Sequence, residues 1–304
     1  MAFDRGSITL DSDYSKNYAL IEKIAKQVIT GVESTNRLQW IDKGKIIHGA
    51  SIEQAVVGLA EGYDWVPDEQ TGENLNAPKY PKIVFRYFKE WTGRQFKTTV
   101  SENQIDKVIL AGGSEKDISE KIVSSLTEGE GDEDYKYSKL TIQDGITGGN
   151  IQQYKEGSAE DNGAIPVSEQ LITAIKDLTD KLQFVGTEFV AAGYRTRTPF
   201  ERIRLVMNYK IFNKLNVEVL ASLYNLSKAE LLSKISLIDE GTKVFVLDEW
   251  GLIKYTRVYK LTSKYIEDGL YSNYWLTVDR MYGTSGLFKM AYIETDPAGT
   301  NNTL

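Results

Sequence analysis

His48 is the only histidine in the chain, and imidazole is the side chain that ordinarily moves protons near neutral pH. Any serine–histidine–aspartate machinery must therefore run through it. It sits in KGKIIHGASIEQ, beside an extended-looking run with no nucleophile motif, and reads as a structural or surface histidine. There is no cysteine, which excludes disulfides, thiol catalysis and cysteine-ligated metal and suits a reducing cytosol. The chain contains no G-x-x-x-x-G-K-[ST], no G-x-G-x-x-G after a strand, no H-E-x-x-H and no G-x-S-x-G, the spacings that cradle phosphates, hold zinc or raise a nucleophilic serine. Glycoside hydrolysis by paired carboxylates stays open only because such a pair is defined by separation in space. The spacing of the 43 acidic residues picks out none. The expectation is a chain with no catalytic residue, no cofactor and no metal.

Two charged clusters remain. The acidic run EGEGDEDY, residues 128–135, lacks the ligand spacing of a helix–loop–helix calcium site. It reads as punctuation between helices, its carboxylates favouring the positive N-terminal end of the next one. The basic run GYRTRTPFERIR carries Arg195, Arg197, Arg202 and Arg204. Arginine forks suit carboxylates and phosphates alike, so a solvated loop paired with nearby acids, pairing between subunits, and nucleic-acid contact all stand as readings.

The elements that position these residues follow from composition and periodicity. The chain has 304 residues, a net charge of −7, 41% hydrophobic and 26% charged residues. That is a globular composition, long enough for two domains, and too acidic for a dedicated nucleic-acid binder. Tyrosine outnumbers phenylalanine, 18 to 10, and suits surfaces that become interfaces. The N-terminus shows no signal core and no apolar run approaches the ~20 residues of a membrane helix, so the chain reads as cytosolic at synthesis.

Residues 1–14 read as a polar arm, and Leu20, Ile21, Ile24, Ala25 and Val28 make one helical stripe within 14–32. IVFRYFKEW reads as a strand, with Ile83, Phe85 and Tyr87 on one face and Val84, Arg86 and Phe88 on the other. Ahead of it lies PDEQTGENLNAPKYPK, with three of the six prolines. RQFKTTV resumes extension. Together these predict a long β-hairpin with a wide tip, and an isolated two-stranded ribbon is marginal in water; it is expected to pack on a neighbouring subunit.

Next come a short helix from Ser101 to Leu110 and a second entered by a Ser114/Asp117 capping box, with Ile118, Ile122, Val123 and Leu126. The spacing predicts a break over 128–134, a further helix over 135–144, and a linker over 145–165. Ser168 caps a helix bearing Val167, Leu171, Ile172, Ile175, Leu178 and Leu182. A strand at 204–207, a helical stretch through YKIFNKLNVEVLASLYNLS, a Ser227/Glu230 capping box and a strand in KISLIDE follow. KVFVLDEWGLIKYTRVYKL predicts a hairpin turning at Asp248–Gly251. In SNYWLTVDRMYGTSGLFKMAYI, Tyr274, Leu276 and Val278 line one face and Trp275, Thr277, Asp279 and Met281 the other, so both faces are expected to be covered. Gly283–Gly286 is a turn. The class is α+β.

This order of parts resembles the major capsid protein of tailed bacteriophages, the Hong Kong 97 fold. The likeness is carried by IHGASIEQAVVGLAEGYDWVPDEQ with YPKIVFRYFKEWTGRQFKTTV and the helices after it, and by RTRTPFERIRLVMN through the final aromatic strands. The resemblance implies an N-terminal arm over 1–36, an extended loop over 37–95, a peripheral domain with a long spine helix over 96–165 joined by the C-terminal strands 256–304, and an axial domain over 166–255. It implies rings of five and six copies closing an icosahedral head around double-stranded DNA, assembled in the host bacterial cytoplasm. Implied partners are other copies of the chain, a separate scaffolding protein, portal and decoration proteins, and DNA touched weakly at the inner face, with no membrane. Glu53, Trp65, Arg86, Trp91, Arg94, Arg195, Arg197 and Arg202 are the expected subunit-contact residues. Two alternatives are a nanocompartment shell of encapsulin type and a soluble carboxylate enzyme.

A structural role without metal has a simple consequence. Chelation with EDTA is expected to leave the melting temperature unchanged; a large fall would revive a metal site.

Overall fold

The computed structural model describes residues 36–47, 51–60, 62, 80–103, 106, 115–155, 165–166, 169–224 and 227–296. The arm helix expected over 14–32, His48, Trp65, the Ser114 and Ser168 caps and the proline-rich stretch at 67–79 lie outside the described residues. The chain divides into two units, Met1–Asn36 with Gly93–Asp134 and Val258–Asp279, and Arg37–Thr92 with Tyr135–Arg257 and Arg280–Leu304.

The larger unit is built on a mixed sheet in the order β5-β12-β9-β7-β8, with β6 beside β12. Its strands are β5 (Gln152–Tyr154), β6 (Ile165–Pro166), β7 (Ile203–Asn208), β8 (Ile235–Ile238), β9 (Lys243–Asp248) and β12 (Met290–Asp296). β9 runs antiparallel to both β7 and β12. Nearly every side chain of β7 and β9 is buried, as expected of central strands covered on both faces. Alternation sorts them. Leu205, Met207, Val244, Val246, Ala291 and Ile293 face one core; Val206, Phe245, Leu247 and Met290 face the other.

The first core is closed by α2 (Glu169–Gln183). Its stripe of Leu171, Ile172, Ile175, Leu178 and Leu182 is buried, as the helical spacing predicts. At ~2 kcal/mol each, these five side chains contribute on the order of 10 kcal/mol of gross burial. The second core is closed by Leu38, Ile41, Ile142, Ile151 and Leu252.

The helical stretch after β7 is two helices, not one: α3 (Tyr209–Lys214) and α4 (Val217–Leu223). Leu215 is extended, and Asn216 Oδ1 accepts from Val219 N at 3.3 Å, so asparagine restarts the helix as a cap. At α5 (Lys228–Lys234) the Ser227/Glu230 capping box is formed in both directions.

The smaller unit holds β4 (Thr92–Ser101), whose first residue falls in the larger unit, and parts of β10 (Leu252–Ile266) and β11 (Tyr271–Thr284), in the order β10-β11-β4. Leu276 and Val278 are buried with Leu126, packed by Phe96 and Tyr274. Lys97 lies over the Trp275 ring at 5.8 Å, and Gln95 Nε2 donates to Thr277 Oγ1 at 3.1 Å.

Three sequence expectations are corrected. The helix expected to break at 128–134 is one element, α1 (Glu115–Thr147), 33 residues long. The run is polar, yet Leu126, Glu130, Asp134, Ser138 and Ile142 recur every four residues and all are buried. Asp134 Oδ2 accepts from Asn36 Nδ2 at 2.5 Å, and tertiary contact outweighs the weak helix propensity of glycine. The hairpin expected around Asp248–Gly251 does not form. β9 needs a partner on each edge and takes β7 and β12, so β10 pairs instead with β1 (Asp42–Lys45) and β11. The 145–165 linker contains β5, which Ile151 and Tyr154 anchor by burial and which runs parallel to β12.

Two glycines of α1 give opposite predictions. A Cβ at Gly129 would sit 3.9 Å from Phe96 Cδ1, an ordinary contact, whereas at Gly145 it would meet Ile151 Cδ1 at 2.7 Å. In denaturant titrations Gly129→Ala is expected to stabilise by ~0.5–1 kcal/mol and Gly145→Ala to destabilise by ~1–3 kcal/mol. Equal shifts of the same sign contradict this placement of the helix.

Candidate assembly surface

β2 (Ile52–Val57) and β3 (Ile83–Phe88) form the expected hairpin, in register from Ile52↔Phe88 to Val57↔Ile83. Side chains alternate across it. On the inner face, Ile52 and Phe88 are buried with Ile253 and Met281, and Val56 and Val84 pack against Val190, Tyr194, Leu287 and Phe288. Gly283 admits the Phe88 ring; a Cβ there would lie 2.7 Å from Phe88 Cδ1. The outer face carries the pairs Glu53↔Tyr87, Ala55↔Phe85 and Val57↔Ile83. Ile83, Phe85, Tyr87 and Val57 are 47%, 50%, 56% and 60% exposed. These four form an apolar ribbon face that no described residue covers. Tyr87 Oη donates to Glu53 Oε1 at 3.2 Å, and that hydrogen bond raises the phenol's pKa.

The hairpin is tied to the turn after β9. Gln54 Nε2 donates to Trp250 O at 3.2 Å. Trp250 meets Phe288 edge-on at 6.0 Å between ring centres and lies under the Arg202 guanidinium at 4.5 Å. Beneath them Asp248 is fully buried. Its carboxylate accepts from Arg202 Nη2 at 2.6 Å, Thr198 Oγ1 at 2.9 Å and the Trp250 amide at 2.9 Å. Burial raises the Asp248 pKa, although Arg202 and the hydrogen bonds pull it down.

Trp91 is half-buried beside Ile253 and Met281, with the Arg257 guanidinium 4.4 Å over its ring. Arg86 is exposed, 5.9 Å from the Phe88 ring centre. Arg94 Nε pairs with Glu133 Oε1 at 3.0 Å. Arg202 and Arg204 are engaged within the chain, with Asp248 and with Glu249 at 2.8 Å, whereas Arg195 and Arg197 are exposed. Sequence reasoning missed the Asp248–Trp250 cluster, because a buried aspartate in an Asp-Glu-Trp-Gly turn carries no periodic signal.

Among the described residues no three histidine, aspartate or glutamate side chains gather to hold a metal. A narrow apolar gap lined by Thr179, Phe200, Ile203, Leu205, Tyr224 and Leu231 is edged by Lys234. The Lys234 ammonium donates to Phe200 O and Glu201 O, both at 3.0 Å.

Removing one partner of a buried pair strands the other charge. Arg202→Met is expected to cost about 3 kcal/mol of stability. Because the folded pKa of Asp248 is raised, this group favours folding at acid pH, and that contribution is lost as pH rises from about 3.8 through its folded value. The stability deficit of Asp248→Asn relative to wild type should therefore be larger near pH 4 than near pH 7; the reverse order contradicts the sign.

A family model of Phi29-like phage major capsid proteins matches residues 7–293. The major capsid protein of Bacillus phage GA-1 is 23% identical over 283 residues, 91% of this chain and 59% of that protein. That of Bacillus phage PZA is 21% identical over 277 residues, covering 89% and 60%. The chain thus spans about three fifths of the length of these curated relatives. In the capsid structure of Staphylococcus phage Andhra, a chain superposes with a TM-score of 0.74 at 12% identity, covering 90% of this chain and 88% of that one. A chain from the structure of head fiber and inner core protein gp22 of native bacteriophage P68 gives 0.61 at 11%, with the same coverages. The fold is the Hong Kong 97 fold of phage capsid subunits, and the chain belongs to the family of Phi29-like phage major capsid proteins.

Proposed function

We propose that this chain is a shell subunit whose copies close into the rings of five and six of an icosahedral phage head enclosing double-stranded DNA. The single observation that carries the reading is the uncovered outer face of the β2–β3 hairpin, Val57, Ile83, Phe85 and Tyr87. The inner face of the ribbon is buried within the chain; the apolar outer face marks a surface for another protein, and a second copy covers it. Membership of a capsid family supports the phage head over the nanocompartment and enzyme alternatives. Each contact between copies requires complementary shape and no reactive group, consistent with a structural and not a catalytic role.

The finer assignments belong to the same proposal. The larger sheet with α2 is the axial domain, extended to include β12; the smaller unit is the peripheral body; residues 37–95 are the extended loop. A separate scaffolding protein, portal and decoration proteins are the remaining partners. The chain's charge of −7 keeps packaged DNA loosely held at the wall, and assembly takes place in the host cytoplasm.

Negative-stain microscopy of the full chain, alone and with its scaffolding protein, is expected to show regular shells or tubes. Phe85→Asp with Tyr87→Asp is expected to leave a folded, soluble subunit and to lower particle yield at least about tenfold, the loss of roughly 1.4 kcal/mol per contact. Unchanged particles from that variant, or a compact wild-type monomer under every condition, contradict the proposal.

A further inference from the structure

We propose that the far half of β10 is an open sheet edge which two copies of the chain close between them, antiparallel about a twofold axis at Ser263. β10 lies between β1 and β11 in its sheet. β1 pairs with it only at Lys254 and Thr256, and the Ile46 amide donates to Thr256 O at 3.0 Å. Among the described residues no strand continues along that side from Val258 to Ile266, a run of ~30 Å. The amide and carbonyl of one strand residue point to the same side, and successive residues alternate. Because Thr256 faces the β1 side, Val258, Lys260, Thr262, Lys264 and Ile266 present their amides and carbonyls at the open edge. The same stretch is bare on both faces. Every residue from Tyr259 to Tyr265 is exposed, with Tyr259, Leu261 and Tyr265 at 44%, 47% and 46%. A long, partly apolar edge of this kind is a template for a further strand.

The strand's own sequence selects the occupant and its register. In an antiparallel pair, edge-facing residues oppose edge-facing residues, so two copies of β10 can meet only in alternate registers. Centring on Thr262 sets Lys260 against Lys264 of the second copy, and centring on Lys260 or Lys264 sets that lysine against itself. Like charges directly opposite are unfavourable. Centring on Leu261 carries the second copy's Ile266 onto Thr256, which β1 already occupies. Centring on Ser263 avoids all three conflicts. It sets Leu261 against Tyr265 twice over, Thr262 against Lys264, and Lys260 against Ile266, with the exposed Glu267 and Asp268 of the second copy just beyond. About eight backbone hydrogen bonds then close the edge, while the lysines bar the competing registers. The contact is isologous, the kind by which symmetric assemblies join equal patches. The inference rests on the shell reading but uses a surface other than the hairpin face, so the two can fail separately.

The chain has no cysteine, so introduced cysteines report cleanly. In the proposed register the two copies of Ser263 form a non-hydrogen-bonded pair ~4.5 Å apart at Cα, within disulfide range. In assembled particles of the full chain, Ser263→Cys is expected to oxidise to crosslinked dimers at least about tenfold faster than Lys260→Cys, whose two copies stand ~20 Å apart. Amide exchange over 258–266 should slow severalfold in wild-type particles relative to free subunits. Particles that show neither signal overturn the edge pairing and leave the shell reading intact. Slowed exchange without the Ser263 crosslink assigns the edge to a different strand and overturns the self-pairing. A chain that never assembles overturns both.

Discussion

Pairing β2 with β3 places every second side chain of both strands on a face that the described residues leave bare, and the rest of the hairpin's construction answers to that constraint. A two-stranded ribbon cannot bury two apolar faces by itself. The chain buries one, through Ile52 and Phe88 near the root and Val56 and Val84 farther out. The other stays exposed with Ile83, Phe85 and Tyr87 in a row. Apolar patches of this sort mark surfaces meant for another protein. In a subunit of a capsid family the obvious occupant is another copy, because closed symmetric assemblies cover such faces by repetition.

The anchor of the hairpin is less ordinary than its exposed face. A fully buried carboxylate is costly unless paired and hydrogen-bonded, and Asp248 has Arg202, Thr198 and a backbone amide. The same arginine stacks on Trp250, whose carbonyl receives Gln54 of the hairpin. One electrostatic node in the larger unit therefore sets both the turn after β9 and the seat of β2. Replacing it with apolar residues of similar volume could match its stability, but would lose the directional constraint that aims the hairpin.

Much of this was legible in the sequence where burial follows period. Ile83, Phe85 and Tyr87 were separable from Val84 and Phe88 by alternation, and the α2 stripe by helical spacing. The Ser227/Glu230 box announced itself because its chemistry is local. The long helix α1 was hidden because its buried stripe includes Glu130, Asp134 and Ser138, with glycines at 129 and 131, so hydrophobicity gives no period to read. The false hairpin at Asp248–Gly251 arose because a tight turn says nothing about which edges its strands will pair. β9 is buried on both faces, and only the fold shows that β7 and β12 flank it. The expected contact residues follow the same rule. Trp91 could be placed near the hairpin base, but the intrachain engagement of Arg202 depends on an aspartate 46 positions away.

The central claim is that the outer face of the hairpin is covered by another copy of the chain. Hydroxyl-radical footprinting of subunits before and after assembly reads that face directly, side chain by side chain. Oxidation of Ile83, Phe85 and Tyr87 should fall severalfold in assembled particles relative to free subunits. Equal oxidation of these three residues in both states would contradict the account.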